Sequence, residues 1–209
     1  MPADDAAPEI EERRINPVQA GLCEYEVYVN KQDFTFHAAH FIAYDGFRER
    51  IHGHNYNVGV KMKGEVAHDG YVVDFGDLKT VTRRLCAELD EKFLCPQRSN
   101  VINSKVKEGQ VVMRCQDRST YSFPEKDCAL LPIMHSSNEE LAHYLYNRLV
   151  HDFTPEFLRL RGIKMLEIVV QDTPGQEATY RQAVPSSLQG LLLESPCSRK
   201  AVRLEPTDT

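Results

Sequence analysis

The segment His52-Gly53-His54-Asn55-Tyr56 constrains this chain more than any other, because it runs straight into strict alternation. Tyr56, Val58, Val60 and Met62 are apolar, while Asn57, Gly59, Lys61 and Lys63 between them are polar or small. A period of two predicts a strand with one buried face. His52 and His54, two apart, then project from the same face of that strand. A second strand is predicted upstream, where Tyr25, Val27 and Val29 alternate with polar residues and Phe34 and Phe36 resume the pattern after Lys31-Gln32-Asp33. A charged loop at 41–51 joins the two. If the strands pair as a hairpin, the end of the first lies beside the start of the second. His40, just past the first strand, would then meet His52 and His54.

Three neutral imidazoles and one open position make the donor set of a catalytic zinc site. A His-x-His pair alone is equally compatible with surface or packing histidines, so geometry leaves both readings open. His37 is an alternative ligand, but alternation turns it away from His40. His68, His143 and His151 read as solvated or packing residues. Gly53 leaves room for another group to approach closely.

Further along, Gly76 or Asp77 can open a helix carrying Leu78, Val81, Leu85 and Leu89 at helical spacing. Ser137 and Glu140 form a capping-box pattern before a second helix with Leu141, Leu145 and Leu149 on one face. Met165-Leu166-Glu167-Ile168-Val169-Val170-Gln171 predicts a later strand, with a further strand after it. Weak alternation over 111–123 suggests a hairpin inside a long connection from Cys95 to Leu131. The order is α+β, with paired strands in place of a βαβ alternation.

The 209 residues suggest one domain at 21–184 with an insertion at about 95–131, a disordered extension at 1–20 and a weakly patterned tail at 185–209. A hydrophobic fraction of 42% supplies a sizeable core. The net charge of -6 argues against a general nucleic-acid binder. No run reaches the roughly 18 apolar residues of a membrane span, and the acidic start is neither a signal nor a transit peptide. The expected setting is therefore cytoplasmic. The six cysteines, Cys23, Cys86, Cys95, Cys115, Cys128 and Cys197, show neither zinc-ribbon nor disulfide spacing.

Taken together, FHAAHFI (36–42) and HGHNYNV (52–58) resemble the 6-pyruvoyl-tetrahydropterin synthases and their 6-carboxy-tetrahydropterin relatives. The resemblance continues in VVDFGDLK (72–79), LDEK (89–92), SNEELA (137–142) and QDTPGQEATY (171–180). It implies the tunnelling fold, a zinc ion on His40, His52 and His54, and trimers paired into hexamers with active sites between subunits. The family's catalytic cysteine is absent from DGFRERI (45–51); Glu49 stands three residues before His52 instead. That pattern resembles a variant subgroup with glutamate in the cysteine's place, which converts 7,8-dihydroneopterin triphosphate to 6-hydroxymethyl-7,8-dihydropterin for folate synthesis.

Two more departures mark the chain. The family's L-D-H-K is Leu89-Asp90-Glu91-Lys92, so the relay histidine is missing, and Asp90 and Glu91 are the catalytic carboxylates implied there. His135 is a possible replacement. The pterin-anchoring glutamate is Asp172, expected to grip the 2-amino and N3–H edge with Glu139, beside Ser137 and Asn138. Glu49 is the expected general base for retro-aldol cleavage of the substrate side chain. Ordinary 6-pyruvoyl-tetrahydropterin synthesis, 6-carboxy-tetrahydropterin synthesis and a non-catalytic pterin-binding role are the alternatives.

Overall fold

The two histidine-bearing strands do form a hairpin. In the computed structural model, which describes residues 24–189 and Leu191, β1 (Tyr25–His40) leads through a ribbon of β2 (Ala43–Tyr44) and β3 (Phe47–Arg48) into β4 (His52–Gly64). β1 and β4 run antiparallel from Tyr25 opposite Gly64 to His40 opposite His52. The register shifts between Asn30 and Thr35, where Lys31-Gln32-Asp33 interrupts the apolar pattern. The alternating residues Phe34, Phe36, Tyr56, Val58, Val60 and Met62 are all buried. A one-residue slip would turn every one of them to the other face, so burial itself locks the register.

Helix α1 (Phe75–Leu89) starts one residue earlier than Gly76, because the Asp74 carboxylate caps it by accepting from Gly76 N and Asp77 N. After it the chain forms β5 (Lys92–Pro96), β6 (Ile102–Lys107), β7 (Gln110–Cys115), β8 (Thr120–Pro124) and β9 (Cys128–Leu131). The insertion is thus not the single hairpin expected from residues 111–123. β6, β7 and β8 form a three-stranded antiparallel sheet. β6 escapes detection because Ile102-Asn103-Ser104-Lys105-Val106-Lys107 shows only two apolar residues, one of them exposed. Beneath this sheet lies a second core of Phe41, Ala43, Phe93, Cys95, Ile102, Val111, Met113 and Cys115.

Helix α2 (Asn138–Phe153) begins at the Ser137 cap, whose hydroxyl accepts from Glu140 N at 3.4 Å. Short α3 (Pro155–Leu160), absent from the sequence reading, follows from the Thr154 cap and Pro155 in its first turn. β10 (Ile163–Thr173) and β11 (Gln176–Ala183), the last strands among the described residues, form a hairpin turned at Gly175, where φ is 86°. The main sheet has the order β11-β10-β4-β1-β5-β9. α1 and α2 cover one face, with Leu78, Leu85, Leu89, Leu141, Leu145 and Leu149 in its core. At about 25 cal/mol per Å², each fully buried leucine contributes roughly 2 kcal/mol, so this layer dominates stability. None of the described helices is long and apolar enough to cross a membrane. The expectations for 1–20 and for most of 185–209 fall outside the described residues.

Candidate metal centre

His40 ends β1 and His52 begins β4, and the two are direct cross-strand partners. His54 follows two residues on. Antiparallel pairing therefore delivers three imidazoles to one point, with ring centroids 4.6 Å (His40–His52), 5.2 Å (His40–His54) and 5.0 Å (His52–His54) apart. One ligand nitrogen from each lies within 4.8 Å of the other two. Gly53 sits where a Cβ would meet Ala38 O at 3.2 Å, so the close approach it permits is that of β1 itself.

Two carbonyls orient the rings. His40 Nδ1 lies 2.8 Å from Ser136 O and His52 Nδ1 lies 2.8 Å from Arg50 O. A carbonyl can only accept, so each Nδ1 carries the proton and each Nε2 keeps its lone pair. His40 Nε2 is buried and has no hydrogen-bond partner among the described residues. Burial, and then the neighbouring His52, push the His40 pKa down to about 4, so the ring is neutral near pH 7. A neutral His40 whose buried Nε2 lone pair is unpartnered, with two further imidazoles beside it, fits a metal ion. Tyr56 backs the group, stacked on Phe36 with centroids 4.5 Å apart. Burial and the Asp172 charge raise its phenol pKa.

The histidines open into a cleft of about 430 Å³. Glu49, Ser137, Asn138, Glu139 and Asp172 all line it, as do Gln176 and Glu177, which the sequence reading did not name. Four carboxylates and no lysine or arginine line its wall. Asp172 Oδ1 is buried with no hydrogen-bond partner among the described residues, so it can accept from a ligand. Glu49 is held at the mouth: its Oε2 accepts from Ile42 N at 3.0 Å and its own N–H donates to Ile42 O at 2.9 Å.

Arg48 ties Glu49 to the insertion. Its guanidinium donates to Glu49 O at 2.8 Å, to Asp117 Oδ2 at 2.7 Å, to the Tyr121 hydroxyl at 2.7 Å and to Ser119 Oγ at 3.1 Å. The three-stranded sheet thereby braces the loop that carries the carboxylate. Neither Arg48 nor Ser136 had a sequence signal, since the bonds of Arg48 to the insertion and of Ser136 to His40 span 69 to 96 residues.

Asp90 and Glu91 do not line this cleft. Asp90 Oδ1 accepts from His37 N at 2.7 Å and stands 2.9 Å from His37 Nδ1, while Glu91 N donates to His37 O at 2.7 Å. His37 faces away from His40, as alternation requires. His135 is half-buried and does not line the cleft either. His143 packs on Tyr180 and receives a 3.1 Å contact from Asn147 Nδ2, and His68 and His151 are exposed.

Residues 28–183 match the family model described as 6-pyruvoyl tetrahydropterin synthase. The chain belongs to that family. The 6-carboxy-5,6,7,8-tetrahydropterin synthase of Haemophilus influenzae is 28% identical over 157 residues, 72% of this chain and 96% of the relative. The Plasmodium falciparum 6-pyruvoyl tetrahydropterin synthase structure is 43% identical, covers 77% of this chain and 99% of its own, and superposes with a TM-score of 0.75. A Plasmodium vivax structure, 40% identical over 78% of this chain and 99% of its own with a TM-score of 0.75, is a catalytic-residue mutant with glutamate changed to alanine. The curled, largely antiparallel sheet with few helices is the tunnelling fold of the 6-pyruvoyl tetrahydropterin synthases. Enzymes of this family are metal-dependent lyases acting on pterins, and the three histidines are the group here able to bind the metal.

Proposed function

We propose that this protein cleaves the side chain of 7,8-dihydroneopterin triphosphate to give 6-hydroxymethyl-7,8-dihydropterin, a step of folate synthesis in the cytoplasm. The observation that carries the reading is the Glu49 carboxylate in the histidine cleft, where none of the described cysteines lies. The P. vivax relative, with its catalytic glutamate, supports it.

His40, His52 and His54 would hold a zinc ion, a Lewis acid that lowers the pKa of the side-chain hydroxyls. Glu49 takes the proton from the second side-chain hydroxyl. The bond between the first and second side-chain carbons breaks, the hydroxyl carbon becomes an aldehyde, and the electron pair on the first carbon passes into the ring imine. Protonation of that carbon completes the hydroxymethyl product. Asp172 accepts from the 2-amino and N3–H groups, which its unpartnered Oδ1 suits. Glu139, with Ser137 and Asn138, supports the same edge. The acidic wall receives the pterin head, and the triphosphate points away from it. Asp90 and Glu91 act from a neighbouring subunit of a trimer or hexamer.

The curated relative in H. influenzae favours a second reading, 6-carboxy-tetrahydropterin synthesis. Incubating zinc-loaded protein with 7,8-dihydroneopterin triphosphate and separating the products by chromatography decides between them. 6-Hydroxymethyl-7,8-dihydropterin is the expected product. Exclusive 6-pyruvoyl or 6-carboxy product, or pterin binding without turnover, overturns the proposal.

A further inference from the structure

The cleft is charged against one part of a pterin triphosphate. Glu49, Glu139, Asp172 and Glu177 line its wall, with no lysine or arginine among them. Such a wall suits the amino edge of a pterin and repels a triphosphate, so cations for the phosphates must stand outside the wall. Two arginines stand beside it without partners. Arg50 lies between Glu49 and His52, which both line the cleft, and its carbonyl accepts from His52 Nδ1 at 2.8 Å. Its side chain is exposed and makes no hydrogen bond or ion pair with the described residues. Arg118 lies far along the chain, in the turn between β7 and β8, where its φ is 69°. Its neighbours Asp117 and Ser119 both hold the Arg48 guanidinium, which also donates to Glu49 O. Folding thus sets Arg118 beside the loop that carries Arg50. The Arg118 side chain is likewise exposed and unpaired among the described residues. The acidic groups of this region are engaged elsewhere: Asp117 by Arg48, Asp45 by Gln116 Nε2 at 2.7 Å, and Glu49 Oε2 by Ile42 N.

We propose that Arg50 and Arg118 form the site for the substrate's triphosphate, on the Glu49 side of the cleft. The proposal rests on the pterin triphosphate substrate of the function above, not on which product is made. The order of groups along the ligand carries the placement. Asp172 takes the pterin head and Glu49 meets the side-chain carbons, so the phosphates at the far end of the side chain extend past Glu49. The next residue in the chain there is Arg50, and the insertion's turn brings Arg118 to the same loop. Each guanidinium offers a planar fork of donors to phosphate oxygens. The carboxylate wall adds orientation, because a substrate entering phosphates first meets four like charges. The insertion thereby has a second task beside bracing Glu49: it supplies one arm of the phosphate site. Both arginines are exposed, so their attraction is screened by salt.

The test compares two ligands that differ only in the phosphates. Equilibrium binding of 7,8-dihydroneopterin triphosphate and of 7,8-dihydroneopterin is measured on zinc-loaded wild type, Arg50→Gln, Arg118→Gln and the double variant. Wild type should prefer the triphosphate, and the preference should shrink as salt rises. Each single variant should lose about 3- to 10-fold of that preference and the double variant about 10- to 100-fold. Zinc content and affinity for 7,8-dihydroneopterin should stay at wild-type values, because any residue at position 50 keeps the backbone carbonyl that orients His52. A double variant with the wild-type preference overturns the site, and so does equal weakening of both ligands, which marks a structural effect. Loss confined to Arg50→Gln overturns the part given to Arg118. The function fails separately. Wild type that binds neither pterin sinks the function and this site together, whereas tight triphosphate binding followed by a different product sinks the proposed cleavage and leaves the site standing.

Discussion

His40 and His52 are directly opposed residues of the β1–β4 ladder, and their ring centroids stand 4.6 Å apart. Opposed side chains on one face of an antiparallel pair are held close by the backbone itself. The histidine cluster is therefore held by the central hairpin of the sheet. Purified protein should carry about one zinc per subunit. His40→Ala, His52→Ala and His54→Ala should each lose most of it while keeping the native circular dichroism. Elemental analysis showing full zinc in all three variants would remove the centre.

Glu49→Gln keeps the shape of the side chain and removes its basicity. The Ile42 N–H bond to Oε2 can still form with an amide oxygen. Zinc content and pterin affinity should be retained while turnover falls about 10²- to 10⁴-fold. Equilibrium pterin binding measured beside steady-state kinetics separates the two effects, and an unchanged kcat contradicts the assignment.

Arg48→Ala tests whether the insertion braces Glu49. The substitution removes the bonds to Glu49 O, Asp117, Ser119 and Tyr121. Because the guanidinium is partly buried, stability should fall by about 1–3 kcal/mol. A loosened base should lower kcat more than it raises KM. Thermal melting and kinetics on one preparation read both. Arg48→Lys should recover only part of the loss, since one ammonium cannot reproduce a planar fork.

Glu167 makes acid stability a probe of the sheet. It is buried on β10 between Lys61 and Arg181. Burial alone raises its carboxyl pKa, but the hydrogen bonds from Lys61 and Arg181 outweigh it and the net shift is downward. A depressed folded pKa contributes stability above the unfolded value, which is lost as pH falls through the folded one. Unfolding free energy should therefore drop below about pH 4.5, the unfolded glutamate range. Glu167→Gln should flatten that part of the profile and cost about 1–2 kcal/mol at pH 7, because both cations are partly exposed. A profile identical to wild type contradicts it.

The sequence by itself determined the hairpin, its buried face and the three histidines, because alternation and cross-strand pairing are short-range consequences of chain geometry. Tyr56 to Met62 repeat every second residue, and a strand has no other way to bury them. The same local logic located the Ser137 cap, whereas Ser137, Asn138 and Glu139 were expected at the site only through the family resemblance, and all three line the cleft. Only the tertiary structure decided what holds those groups. Ser136 reaches His40 across 96 residues and Asp90 reaches His37 across 53, and no periodicity spans such distances. β6 was invisible for another reason: its polar outer face and short length leave too few apolar positions for a period to show. The insertion's contact with Arg48 likewise depends on where two separately folded sheets meet, which is settled by packing between their cores and not by any local pattern.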